Sequence, residues 1–233
     1  MIKIENAEVV GWEHAIRGMR NPLESWARID SYQPHCLCCQ RDSDDEAREE
    51  HDITVLPYAL GENDHDLMMR LAEAGPEHAK YRRMIVVYAD VTAPLYWWKE
   101  YDTYKVGTVA NSCSTMHKIH SKQFELSDFS HEHLTLSSAS ALQDVIHTLN
   151  YWRAQYDLAD TDNLRKQYWW QLIQLLPSSY NQRRTVMLNY EALANIYRQR
   201  LNHKLDEWRE FCKWIEQLPY SKLITGKEAE TDE

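Results

Sequence analysis

The stretch Leu176–Arg200, LPSSYNQRRTVMLNYEALANIYRQR, decides the fold. It opens on a Leu-Pro break, because proline cannot continue a helix. Val186, Tyr190, Leu193, Ile196 and Tyr197 then recur at the spacing of one apolar helix face. Asn189 and Arg200 stand eleven positions apart, and at about 100° per residue that separation returns to nearly the same side of a helix. The pattern predicts an amide and a guanidinium along one edge. Arg200 suits a phosphate or a pyrimidine carbonyl, since its fork donates two parallel hydrogen bonds. Asn189 both donates and accepts, which suits a ring of mixed polarity such as a flavin or uracil. A helix that simply turns a polar face to solvent carries the same pattern.

Around this stretch the chain reads as an α/β protein whose C-terminal half is mostly helical. Residues 1–10 alternate as a first strand does, and His14 to Met19 begins a helix. Residues 21–60 hold Pro22, Pro34, Pro57, a cysteine cluster and an acidic run, and read as an irregular insertion. Leu67, Met68 and Leu71 mark a short helix that ends at Gly75-Pro76. Met84 to Val91 is the strongest strand, with apolar residues on both faces as in a buried position. Pro94 opens a helix from Leu95 to about Tyr104. After Gly107, Thr108 to His120 reads as helical or irregular. Ser137-Ser138 and Asp160 to Asp162 start two long helices, and Leu205 to Leu218 forms a last amphipathic one. The expected organisation is one domain over residues 1–225, with the insertion at 21–60 and an acidic, disordered tail over 226–233.

Bulk properties narrow the partners. The chain has 233 residues and a formal net charge of −10, which argues against duplex nucleic acid held by general electrostatics. A local positive pocket for a small anion stays open. No apolar run approaches the roughly 20 residues of a membrane span, and the start MIKIENAEVV lacks signal-peptide regions. The expectation is a cytoplasmic protein with free thiols at Cys36, Cys38, Cys39, Cys113 and Cys212.

Two blocks resemble the flavin-dependent thymidylate synthases, the ThyX family. Leu176-Pro177 followed by Asn189, Leu193, Asn195 and Arg200 is similar to the family's Leu-Pro and Asn-x-Arg-Ser-Leu-x-Asn/His-Phe-x-x-x-Arg helix, in the same spacing. Gly75, Glu77-His78, the strand and Ala93-Pro94-Leu95-Tyr96 resemble its Gly-His-x-Ser-x-x-Glu-His, strand, Ala-Pro-Ile-Phe order. The resemblance spans roughly residues 67–215 and implies FAD as cofactor, NADPH and methylene-tetrahydrofolate as co-substrates, and dUMP as the nucleotide converted to dTMP. It implies a homotetramer with active sites between subunits.

The same resemblance assigns His78, Lys105, Asn189 and Asn195 to the flavin, and Arg200 with Ser114 to the nucleotide. Lys105, Thr108, Asn111 and Ser114 fall on the active-site segment. The sequence departs from the family at several points. Thr103-Tyr104-Lys105 replaces Arg-His-Arg, Glu191 and Ile173 each stand for an Arg, and Met116 replaces the last Arg of the Asn-x-x-Ser-x-Arg motif. Each change removes a guanidinium, and lysine is not its equivalent at a bidentate site. A pyrimidine-nucleotide hydroxymethylase of the same fold, and a non-catalytic nucleotide-binding protein without flavin, are the alternatives.

Other clusters carry weaker chemistry. Cys113 could attack C6 of a pyrimidine or lie idle. His117 and His120 lack an acidic third ligand, Cys36 and Cys39 form a single CxxC, and His131-Glu132-His133 lacks zinc spacing, so no metal site is expected.

Overall fold

A computed structural model describes residues 2–34 and 58–226. The cysteine cluster, the acidic run and the tail after Gly226 lie outside the described residues. Among those described, four strands and eight α-helices give the expected α/β fold. No described helix is long and apolar enough to cross a membrane. The chain clusters into two compact units. The first comprises Met1–Glu8, Tyr88–Leu188 and Gln199–Lys213; the second comprises Val9–Val87, Asn189–Arg198 and Trp214–Glu233.

The sheet lies mainly in the first unit, in the order β1 (Lys3–Val10), β2 (Val86–Pro94), β4 (Asn181–Asn189), β3 (Thr108–Ser112). β3 and β4 pair antiparallel, with Thr108 opposite Leu188 and Asn111 opposite Thr185. Two sequence expectations change here. Thr108–Ser112 is a strand rather than a helical or irregular segment. Val186 belongs to a strand and not to the helical stripe. The strand–helix junction at Asn189–Tyr190 has no glycine or proline to mark it, so Val186 falls by accident at helical spacing from Tyr190 and Leu193.

β2 also differs from its expected two-sided burial. Val87, Ala89, Val91 and Ala93 are buried, whereas Tyr88 is 45% exposed. The strand has the period-two pattern of a sheet with one open face. On that open face Asp90 accepts from Asn6 Nδ2 (2.8 Å), Arg183 Nη2 (2.7 Å) and Thr185 Oγ1 (2.6 Å). These donors hold its carboxyl well below the usual carboxylate range, the Thr185 hydroxyl most strongly.

Two apolar clusters stabilise the first unit. Helix α3 (Leu95–Tyr101) is shorter than expected and starts behind Pro94. It buries Trp97, Trp98 and Tyr101. Trp97 packs on Trp208 and Phe211, at 4.6 and 5.6 Å between ring centroids. Adjacent aromatics here therefore form core. Helices α4 (Leu136–Leu158) and α5 (Asp162–Leu175) enclose the second cluster, which includes Ile119, Phe124, Phe129, Ile146 and Leu172. Thr161 caps α5 by accepting from Leu164 N–H (3.3 Å).

The second unit is organised around α1 (Trp12–Arg20), α2 (Glu62–Glu73) and most of α6 (Tyr190–Arg200). Gly11 has φ 94°, and a Cβ there would lie 2.1 Å from the Met84 carbonyl oxygen, so only glycine fits. Trp12 meets Tyr190 and Tyr220 edge-on, at 5.5 and 5.3 Å. Arg20 Nε donates to Asp64 Oδ1 (2.6 Å), and both side chains are almost fully buried. Asp64 Oδ2 accepts from the Asp30 and Ser31 amides and from Ser31 Oγ (2.7 Å). Tyr32 and Ala59 exchange two backbone hydrogen bonds (2.9 and 3.0 Å). Thus residues 30–32 are tied to residues 59–64.

Candidate functional site

Asn189 is the last residue of β4, one place before α6, and so lies outside the helix in which the periodicity puts it. Its Oδ1 accepts from Ala192 N–H (2.8 Å). This is an N-cap, which leaves the side-chain NH2 to donate elsewhere. Asn195 sits half-buried in the second turn of the same helix. His78 is exposed and begins a 3-10 turn, Ala79–Arg83, after Gly75 at φ 110°. Asn189, Asn195 and His78 all belong to the second unit.

The turn after His78 carries residues that motif reading missed. Lys80 and Arg83 are exposed and Arg82 is half-buried. None of the three pairs with a carboxylate among the described residues. Arg82 Nε is buried without a hydrogen-bond partner. A buried donor left unpaired is uncommon and calls for an explanation. The available signal was three cations within four positions of an acidic chain.

Arg200, with Lys105, Thr108, Asn111 and Ser114, belongs to the first unit. Arg200 is committed within that unit. Its Nη1 donates to Glu100 Oε2 (2.7 Å) and its Nε to Tyr104 Oη (2.7 Å). Its guanidinium also lies 4.7 Å from the Trp208 ring centre and 5.5 Å from that of Tyr104. Glu100 Oε2 further accepts from Trp208 Nε1 (2.9 Å), and His203 Nε2 lies 3.4 Å away. Both aromatic rings add cation–π attraction to the ion pair.

The remaining segment is a strand and the loop after it. Thr108 Oγ1 donates to the Tyr104 carbonyl. Asn111 is exposed, and its register opposite Thr185 places it on the open sheet face with Asp90. Ser114 Oγ accepts from the amides of Met116 (3.2 Å) and His117 (3.0 Å), which leaves its proton free to donate. Lys105 is exposed. Cys113 is a free, exposed thiol. Trp169 Nε1 donates to the Met116 carbonyl (2.9 Å), and Ile173 packs against the α4–α5 apolar cluster. Of the positions that lack an arginine, 173 is therefore taken up by packing and 116 by a bond to its backbone carbonyl. Among the described residues no three His, Cys, Asp or Glu side chains group as a metal site.

No protein-family model matches the chain, and no curated protein matches it in sequence. Its structure is similar to that of the flavin-dependent thymidylate synthase ThyX from Helicobacter pylori complexed with FAD and dUMP. That match has a TM-score of 0.64 and 13% identity, and covers 97% of this chain and 99% of the other. A further structure of thymidylate synthase X from Helicobacter pylori with FAD and dUMP, at 2.31 Å resolution, matches with a TM-score of 0.61 and 13% identity over 97% and 98% of the two chains. The chain has the ThyX fold. At this identity, residue roles rest on the local chemistry described above.

Proposed function

We propose that this protein is a divergent flavin-dependent enzyme that transfers a one-carbon unit to a deoxyuridine-type pyrimidine. The reaction implied is the reductive methylation of dUMP to dTMP. The similarity over 97% of the chain to structures that hold FAD and dUMP is the observation that carries this reading. FAD, when bound, supplies the hydride, with NADPH and methylene-tetrahydrofolate as co-substrates. The assembly we propose is a cytoplasmic homotetramer built from one ThyX-like domain per chain.

The residues present fit FAD. Its phosphates need cations that no carboxylate already holds, and among the described residues Lys80, Arg82 and Arg83 meet that need. Its ring edge presents both donors and acceptors, which Asn189, Asn195 and His78 match. Asn189 carries two tasks at once, because its carbonyl oxygen fixes the start of α6 while its NH2 group is left for the ring. On the nucleotide side, Ser114 donates its hydroxyl proton to the pyrimidine or ribose. Asn111 supplies an amide, and Lys105 stabilises negative charge that develops on the ring.

Purified protein should be yellow, with flavin absorbance, and should restore growth of a thymidine-requiring strain. Colourless protein that FAD cannot reconstitute refutes the reading. A non-catalytic nucleotide-binding role without flavin is favoured by one observation, the Glu100–Arg200 pairing, and would show nucleotide binding by protein that does not take up FAD.

A further inference from the structure

In the first unit Arg153, Arg165, Arg183, Arg184 and Arg209 each pair with an aspartate. Arg200 pairs with a glutamate, and that glutamate uses its two oxygens unequally. Oε2 of Glu100 accepts from Arg200 Nη1 (2.7 Å) and from Trp208 Nε1 (2.9 Å), and His203 Nε2 lies 3.4 Å from it. Oε1 takes no hydrogen bond among the described residues. Arg200 Nη2 likewise gives none, since Nε goes to Tyr104 Oη and Nη1 to Glu100. One ion pair therefore carries an open acceptor and an open donor, on side chains that are 35% and 17% exposed.

The carboxylate is fixed from behind. Trp208 is fully buried and its ring centre lies 4.6 Å from that of Trp97, so its Nε1 does not follow a moving partner. The Glu100 carbonyl accepts from the Thr103 amide (3.1 Å) and the Thr103 hydroxyl (2.7 Å), which holds the end of α3. A donor and an acceptor held in place before the ligand arrives cost little to order. Their complement is an N–H beside a carbonyl. The imide of uracil has this form, with N3–H between two ring carbonyls, whereas cytosine has a bare, accepting N3 at the same place. An ionised carboxylate only accepts, so it meets the first and opposes the second.

Resting on the proposed function for the nucleotide, we propose that Glu100 is a specificity-determining residue: its Oε1 accepts the N3–H of uracil while Arg200 Nη2 donates to an adjoining ring carbonyl. The pair reads the base alone. A flavin ring carries the same imide. The first unit also holds Lys105, Asn111 and Ser114, which the proposed function gives to the nucleotide, so uracil is the imide assigned to Glu100.

Calorimetry of the FAD-reconstituted protein with dUMP, dCMP and 3-methyl-dUMP tests the proposal. The native protein should bind dUMP about tenfold or more tighter than either of the others, the size of one charge-assisted hydrogen bond. This comparison needs no variant. In Glu100→Gln the donors at Oε2 hold the amide oxygen there, so its NH2 falls at the place of Oε1. A donor then opposes the N3–H of uracil and suits the bare N3 of cytosine. The preference for dUMP over dCMP should fall about tenfold, with FAD affinity unchanged. Equal binding of all three nucleotides by the native protein overturns the selection and leaves the pyrimidine reading standing. A full preference for dUMP in a Glu100→Gln protein of native melting temperature overturns the role of Glu100. Loss of FAD in place of dUMP in that variant overturns the assignment to uracil. Binding of none of the nucleotides by flavin-loaded native protein overturns the proposed function together with the inference.

Discussion

Arginine is used in opposite ways in the two units. In the first, every guanidinium faces a carboxylate, and Arg200 is held by Glu100, Tyr104 and Trp208. In the second, Lys80, Arg82 and Arg83 follow one another within a single turn and meet no carboxylate among the described residues. A cation that is already paired shapes a site without attracting anions, whereas an unpaired one attracts them. On the proposed function, the turn after His78 is the one suited to a phosphate-bearing ligand.

Arg20 gives the sharpest contrast to the unpaired turn, because it lies in the same unit. Its pair with Asp64 is fully buried, and Asp64 also accepts from two amides and the Ser31 hydroxyl. Arg20 Nη2, although 2.6 Å from Asp64, is not aligned to donate and has no hydrogen bond, so the contact there is Coulombic. Removing one member of such a pair leaves a buried charge, which costs about 3–5 kcal/mol. Asp64→Ala should therefore lower urea-unfolding stability by that amount and free residues 30–31 from residue 64. A loss below about 1 kcal/mol, as for an exposed pair, would erase the distinction between structural and ligand-directed arginines.

The unpaired turn predicts a binding effect without a folding effect. Lys80→Ala with Arg83→Ala should weaken FAD about tenfold or more, equivalent to roughly 1.4 kcal/mol. The melting temperature of the flavin-free protein should hold, because neither side chain is buried. FAD affinity of the native protein should also fall with added salt, and the double variant should show a shallower slope. Equal affinities at both salt concentrations would remove the phosphate assignment.

These two regions were unequally legible in the sequence. The α/β fold was visible, because Met84 to Val91 carries a clear β-branched run and Pro94 marks the next helix. β4 was hidden, because Asn189 serves as strand end and helix cap at once and no breaker residue intervenes. The motif spacing singled out Asn189, Asn195 and Arg200, but spacing cannot report that Glu100, a hundred positions earlier, pairs with Arg200. Lys80, Arg82 and Arg83 were passed over for the converse reason. They match no motif, and only the absence of carboxylate partners among the described residues distinguishes them from ordinary surface charge.

Asn189 allows the flavin role to be separated from the cap. Losing an N-cap costs about 1 kcal/mol, so Asn189→Ala should destabilise the protein by that amount and also weaken FAD. Asn189→Asp retains the capping oxygen and replaces the NH2 donor by a second acceptor. It should restore the stability, measured by thermal unfolding, while FAD affinity stays low. Recovery of both would make Asn189 a cap alone.

The smallest effect concerns Asp90 on the open sheet face, where Arg183 is again a committed arginine. Its folded-state carboxyl is held below the usual range by Thr185, Asn6 and Arg183. The stability contributed is thus fully present above the unfolded aspartate value of about 3.9 and disappears as pH falls towards the folded value. Asp90→Asn should leave the pH dependence of unfolding unaltered near neutrality but remove part of the acid-side decline, since residue 90 then no longer takes up a proton on unfolding. An identical acid limb in the two proteins would mean that the Arg183 pair opens in solution. That outcome would weaken the comparison at an exposed member and leave it intact at Arg200, which Glu100, Tyr104 and Trp208 hold together.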